Sequence, residues 1–133
     1  MLAYGLDPLC WAFFGLAVGS FVNVVAHRLP RSRSLFYPPS HCPRCRKPIA
    51  YRDNIPVLSY LLLGGRCRDC RKPISCRYPA VEFACMALTR GGWWRYRGDG
   101  VWTFFAASAA AALLAVALID WDTFLIPDEL SLG

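Results

Sequence analysis

Val101-Trp-Thr-Phe-Phe-Ala-Ala-Ser-Ala-Ala-Ala-Ala-Leu-Leu-Ala-Val-Ala-Leu-Ile119 is a run of 19 residues without a charge, and Asp120-Trp-Asp122 follows it directly. As a helix it covers about 28 Å, close to the roughly 30 Å thickness of bilayer hydrocarbon. A second such run, Leu9 to Ala26, holds 18 uncharged residues and ends at His27-Arg28. No basic segment precedes it and no small-x-small cleavage site closes it, so it reads as a retained helix rather than a signal peptide. Between them, Tyr78 to Thr89 is only 12 residues and contains Glu82. Alone it falls short of a span. Trp93, Trp94 and Tyr96 suit an interfacial belt that would lengthen it, provided Arg90 and Arg95 snorkel or find partners.

The whole chain has 133 residues, of which 56% are hydrophobic, and still carries 15 Lys and Arg for a net charge of +6. The mean hydropathy of +0.31 disfavours disorder and an ordinary water-soluble globule. Twelve of the basic residues lie between Arg28 and Arg77, against only Asp53 and Asp69, for a local net charge of +10. The positive-inside rule places this stretch in the cytoplasm, the N-terminus outside and Asp120 back at the cytoplasmic face. The expected fold class is therefore an all-α integral membrane protein with two or three transmembrane helices and a small cytoplasmic insertion. The expected divisions are a first transmembrane helix within 1–27, a basic cytoplasmic domain at 28–78, and membrane helices within 79–133. The last part comprises a short helix at 79–96 and a full one at 101–119.

The insertion contains an internal repeat. Cys42-Pro-Arg-Cys-Arg-Lys-Pro-Ile-Ala-Tyr-Arg52 aligns with Cys67-Arg-Asp-Cys-Arg-Lys-Pro-Ile-Ser-Cys-Arg77, with seven of eleven positions identical at an offset of 25. Two Cys-x-x-Cys turns, each presenting two thiolates from one side, are what a tetrahedral four-cysteine zinc site requires. A cytoplasmic location disfavours structural disulfides, and a redox Cys-x-x-Cys normally occurs once. Cys42, Cys45, Cys67 and Cys70 are thus the expected ligands of a structural Zn²⁺ or another thiophilic metal, in a zinc-ribbon-like domain. Cys76 lies near enough to compete, while Cys10 and Cys85 read as buried small hydrophobes. The excess charge also fits nucleic acid. Aromatic interleaving is thin, however, and Ile55-Pro-Val-Leu-Ser-Tyr-Leu-Leu-Leu63 suits a bilayer surface better, so membrane lipid is the expected partner and nucleic acid is not.

In the first helix Gly15, Gly19 and Asn23 recur every four residues and share one stripe. The pattern fits close helix packing, with a catalytic or substrate role for Asn23 as the alternative. Asp120 and Asp122 point in nearly opposite directions on a helix, so both cannot face one site. Pro127 limits the run beyond them.

Taken in order, several motifs resemble the bacterial type IV prepilin peptidases, the leader peptidase/N-methyltransferases. They are Gly15-Leu-Ala-Val-Gly-Ser-Phe-Val-Asn-Val-Val, His27-Arg-Leu-Pro30, Pro39-Ser-His-Cys-Pro-Arg-Cys45, Asp53-Asn-Ile-Pro-Val-Leu-Ser-Tyr60, Gly65-Arg-Cys-Arg-Asp-Cys70, Ile74-Ser-Cys-Arg-Tyr-Pro-Ala-Val-Glu82 and Leu118-Ile-Asp-Trp-Asp-Thr-Phe-Leu-Ile-Pro-Asp128. The resemblance implies an inner-membrane aspartic endopeptidase that removes the leader of prepilins and pseudopilins after a glycine. It also implies N-methylation of the new terminus from S-adenosylmethionine. It assigns the first catalytic aspartate to Asp120, with five residues between it and Ile126-Pro-Asp128, and leaves the residues that bind S-adenosylmethionine unknown. The family's second catalytic aspartate lies in a Gly-x-Gly-Asp motif absent here; Arg97-Gly-Asp-Gly100 has the wrong order. The chain is accordingly expected to be an N-terminal half, inactive alone, with a separately encoded C-terminal half as a possible partner. A non-catalytic membrane-anchored zinc-ribbon adaptor is the alternative.

Overall fold

In the computed structural model, which describes residues 8–125, the glycine stripe sets how the helices meet. The first helix, α1, spans Pro8–Arg28, a one-turn helix α2 spans Leu58–Leu62, α3 spans Arg77–Arg95 and α4 spans Gly100–Leu125. Short 3-10 turns occupy Leu29–Arg31 and Tyr51–Asp53, and no strand is formed among the described residues. A Cβ on Gly15 would lie 2.6 Å from the Met86 Cα, and one on Gly19 would lie 2.5 Å from the Glu82 Cα. The Asn23 amide donates to the Tyr78 carbonyl at 3.1 Å. Four residues forward on α1 thus match four residues back on α3, so the two helices run antiparallel in near backbone contact. The stripe packs, and the buried Asn23 serves as an interhelical hydrogen-bond donor.

The third long helix completes the bundle. Gly100 lies near the Trp11 ring and Asp122 lies near His27, so α4 runs parallel to α1. Val22, Val81 and Cys85 form the core, covered by Val18, Ala111, Leu114, Ala115 and Leu118. Asp99 caps α4 by accepting the N–H groups of Val101 at 3.0 Å and Trp102 at 3.2 Å, a role that explains the acid of Arg97-Gly-Asp-Gly100. The turn before it uses left-handed backbone at Arg97 and Gly98.

Two of the long helices, α1 and α4, are long and apolar enough to cross a membrane. α3 runs through Thr89-Arg-Gly-Gly92 and continues for 19 residues, about 28 Å. Its glycines meet little resistance: Gly91 has nothing within 4 Å of a Cβ position. The arginines find aromatic partners, with Arg90 over the Trp94 ring at 5.8 Å and Arg95 over the Tyr96 ring at 6.0 Å. Cys10, expected to be buried, is exposed, because the packing stripe of α1 passes through Trp11 instead. Cys85 is buried as expected. Finally, α4 runs on past Ile119 through both aspartates; Pro127, Asp128 and Glu129 lie outside the described residues.

The contrast between two glycines gives a direct test. Gly19→Ala must push α1 off α3 and is expected to destabilise the bundle by roughly 1–3 kcal/mol. Gly91→Ala, in open space on a helix, should be neutral or stabilising by up to about 1 kcal/mol. Unfolding of the two variants in detergent micelles compares them.

Candidate functional site

The sequence repeat becomes a repeat in three dimensions. The Cys42 N–H donates to the Lys47 carbonyl and the Cys67 N–H to the Lys72 carbonyl, both at 3.0 Å. The Arg46 N–H returns to the Cys42 carbonyl at 2.9 Å, and the Arg71 N–H to the Cys67 carbonyl at 3.1 Å. Each turn closes through left-handed backbone, φ 59° at Arg46 and φ 57° at Arg71. Antiparallel bridges pair His41 with Pro48 and Arg66 with Pro73. Every one of these features recurs at an offset of 25 residues.

The two turns bring Cys42, Cys45, Cys67 and Cys70 together, with all four sulfurs within 4.8 Å of one another. Cys42 Sγ and Cys70 Sγ stand 3.8 Å apart. A zinc tetrahedron with bonds of about 2.3 Å has sulfur–sulfur edges of about 3.8 Å, so the donor set fits a four-thiolate metal site. Four protein ligands leave no open position, so a bound Zn²⁺ would have a structural role. Cys76 is exposed and stands outside this group, which corrects the expectation that it competes.

The thiols are unequal. The Cys45 N–H, assisted by the Arg44 N–H and the thiols of Cys67 and Cys45, outweighs burial and draws the Cys42 thiol down to about 7. At Cys45 the Lys47 N–H favours the thiolate. Desolvation and the other three sulfurs prevail, however, and push that thiol up to about 11. Metal binding must therefore displace protons from the cluster.

Two ion pairs brace the cysteine turns. Lys47 Nζ lies 3.2 Å from Asp69, joining one turn to the other. Arg68 donates to both carboxylate oxygens of Asp53 from one edge of its guanidinium, through Nε at 2.7 Å and Nη2 at 2.6 Å, which holds the Asp53 carboxyl below its ordinary range. Arg28, at the end of α1, donates to the carbonyls of Ser34 at 3.0 Å and Pro38 at 2.7 Å, fixing the entry to the insertion.

The other site expected from the sequence lies at the end of α4. Arg77, the last residue of the repeat and the first of α3, donates to Asp122 at 2.6 Å. This bond places the exit of the cysteine domain against the acidic end of α4. Asp120 points the other way, is exposed, and has no hydrogen-bond or ion-pair partner among the described residues. It shares the outer face of α4 with the exposed Leu113, Val116 and Phe124.

Sequence reasoning did not find Arg77, Glu82 or Arg68 as braces. Arg77 was visible as the last identical position of the repeat. Glu82 was visible as the lone acid of an apolar segment. It accepts the Val57 N–H at 2.7 Å and interacts with the Ser20 hydroxyl.

A helical bundle with two candidate membrane helices and a paired-knuckle insertion whose four cysteines could hold a metal ion fits a helical membrane protein. Residues 13–96 match the family model of the bacterial peptidase A24 N-terminal domain. The chain is 46% identical to a prepilin leader peptidase/N-methyltransferase of Klebsiella pneumoniae, over 94% of this chain and 59% of that protein. Proteins of the same name from Burkholderia pseudomallei and Myxococcus xanthus are 39% and 44% identical. They cover 89% and 85% of this chain, which in turn covers 46% and 33% of them. No solved structure matches the chain. The chain belongs to the bacterial A24 peptidase family, through its N-terminal domain, and it spans about half the length of the first of these relatives.

For the cluster, the expected outcome is one Zn²⁺ per chain, lost in Cys67→Ser, with binding that weakens as pH falls because protons reclaim the thiolates. Metal analysis after dialysis across a pH series reads both. Stripping the metal should expose Arg and Lys between 28 and 77 to trypsin before the helices are cut.

Proposed function

We propose that this chain forms the N-terminal part of a membrane aspartic endopeptidase that removes prepilin leaders. Asp120 would be one of its two catalytic carboxylates. The observation that carries this reading is the contrast between the two aspartates of α4. Asp122 is engaged by Arg77 in an ion pair at 2.6 Å, so its carboxylate is already committed to a partner. Asp120 is exposed and has no partner among the described residues, and it sits where two apolar helices end beside a basic domain. In an aspartic dyad one proton is shared between two carboxyl groups. The ionised member takes a proton from the attacking water and the protonated member polarises the scissile carbonyl. The second carboxylate would come from outside these residues, against the open face of α4.

The domain between Arg28 and Arg77 would face the cytoplasm of an inner-membrane protein, following the positive-inside rule. Its +10 charge favours anionic lipid by about 1 kcal/mol per basic residue near the surface. Zinc would fold the knuckles and leave the chemistry to the aspartates.

The relatives' names also carry N-methyltransferase, for which S-adenosylmethionine is the donor implied by the resemblance. The concavity lined by Pro38, Pro39, His41, Arg46 and Pro48 has no acidic side chain for the ribose hydroxyls of that molecule. No residue is therefore assigned to it.

In the complete enzyme, Asp120→Asn is expected to lower leader cleavage of a prepilin by about 10²–10⁴-fold. Asp122→Asn should retain the greater part of the activity. Gel-shift cleavage of a purified prepilin in detergent distinguishes them, and equal losses would remove the basis for choosing Asp120.

A further inference from the structure

The segment between the two cysteine turns has no part in the metal site or in the proposed chemistry. Asn54 to Gly65 contains no charged residue, although it lies inside the most basic stretch of the chain. Its two stems are pinned together by the bidentate Arg68–Asp53 pair at its base. Polar groups face inward: Ser59 Oγ accepts the Ile55 N–H at 3.0 Å and donates to the Arg52 carbonyl at 3.1 Å, and the Tyr60 ring packs on Gly65. The leucines face out. Leu58 is 49% exposed, Leu61 68% and Leu62 76%.

Among the described residues, a hydrogen bond to α3 ties this loop to the bundle. Val57 is held with φ 60° and ψ −50°, an unfavourable backbone for a β-branched residue, and the Leu58 N–H closes a tight turn onto the Pro56 carbonyl at 2.6 Å. In this conformation the Val57 N–H donates to Glu82 Oε2 at 2.7 Å. The Glu82 Cα lies against Gly19, seven residues before the end of the uncharged run of α1. Seven helical residues are about 10 Å. The loop is thus tied to a side chain rooted inside the apolar slab rather than at its edge.

We infer that Ile55–Leu63 is a membrane wedge, in which Leu58, Leu61 and Leu62 of α2 enter the hydrocarbon of the leaflet beneath the cysteine domain. The inference rests on the membrane-spanning part of the proposed function. The occupant of the leucine face is lipid. The loop is tied to a side chain whose Cα lies against Gly19 of the apolar helix α1, its tip is uncharged, and the basic residues around it match the anionic headgroups above such a site. Within the wedge the Val57 N–H bonds Glu82, the Ile55 N–H bonds Ser59, and the Ser59, Leu61 and Leu63 N–H groups bond the carbonyls of Ile55, Val57 and Ser59, which reduces the cost of placing this backbone in lipid.

Photocrosslinking tests it. The full chain is placed in nanodiscs of phosphatidylglycerol and phosphatidylethanolamine. A diazirine-bearing amino acid is introduced singly at Leu61, at Phe105 on the outer face of α4, or at Arg44 on a cysteine turn. Mass spectrometry then reads acyl-chain adducts. The expected result is adducts at Leu61 and Phe105, several-fold above Arg44. Adducts at Phe105 with none at Leu61 would overturn the wedge and leave the spanning helices in place. The absence of both would overturn the membrane reading together with the wedge. Equal labelling at Leu61 and Arg44 would also reject it, because the contact would then belong to the whole surface of the insertion.

Discussion

The near-contact of two helix backbones at Gly15 and Gly19 is the constraint on which the rest of the architecture depends. In a bilayer, helices gain little from the hydrophobic effect by associating, since lipid is as apolar as leucine. What holds α1 to α3 must be close packing and polar links. The glycines allow the first: their missing Cβ atoms leave space that the α3 backbone fills at Cys85–Met86 and Glu82. The second follows from the approach. Only at this separation can the Asn23 amide reach the Tyr78 carbonyl and the Ser20 hydroxyl meet Glu82. Thr89 is buried beside Gly15 and satisfies its hydroxyl on the Cys85 carbonyl of its own helix.

Glu82 carries that constraint outward. A carboxylate buried against the apolar helix α1 is costly unless its oxygens are satisfied. Here a backbone N–H from the insertion supplies the partner. The arrangement works in both directions, since the acid gains a donor and the loop gains a fixed depth. Replacing Gly19 by a larger residue would shift Glu82 and thereby the loop, although Gly19 touches no part of the insertion among the contacts described. The coupling runs through one helix and one side chain, a short physical path rather than a diffuse one.

Much of this was legible in the sequence. A strict period of four in Gly15, Gly19 and Asn23 has few readings on an apolar helix, and an eleven-residue repeat with identical cysteine spacing has fewer still. Local patterns carried that information. The braces were not legible, because each joins residues far apart in the chain: Arg77 to Asp122, Glu82 to Val57, Arg68 to Asp53. Arg90 and Gly91-Gly92 interrupt the apolar run of α3, and the two glycines lower its helix propensity. Packing beside α4 and a tryptophan ring beneath the guanidinium override that preference. Cys10 and Cys85 look alike in composition, and only the rotation of each helix separates the exposed thiol from the buried one.

The choice between Asp120 and Asp122 shows how a distant pair decides a local question. On composition the two acids are equivalent, and helix geometry says only that they diverge. The rotation of α4 fixes which one faces inward, through Thr103, Ala107 and Leu118 on the packed side. Asp122 follows that side and meets Arg77, whose own position is set because it closes the cysteine repeat and opens α3 in a single residue. The cysteine domain, the start of α3 and the end of α4 are therefore joined at one point. Asp120 is left on the open face by the same rotation, uncommitted and facing away from every helix described. A carboxylate in that position is available to a partner that approaches from outside the three-helix bundle, and the Arg77–Asp122 bond is what keeps it aimed there.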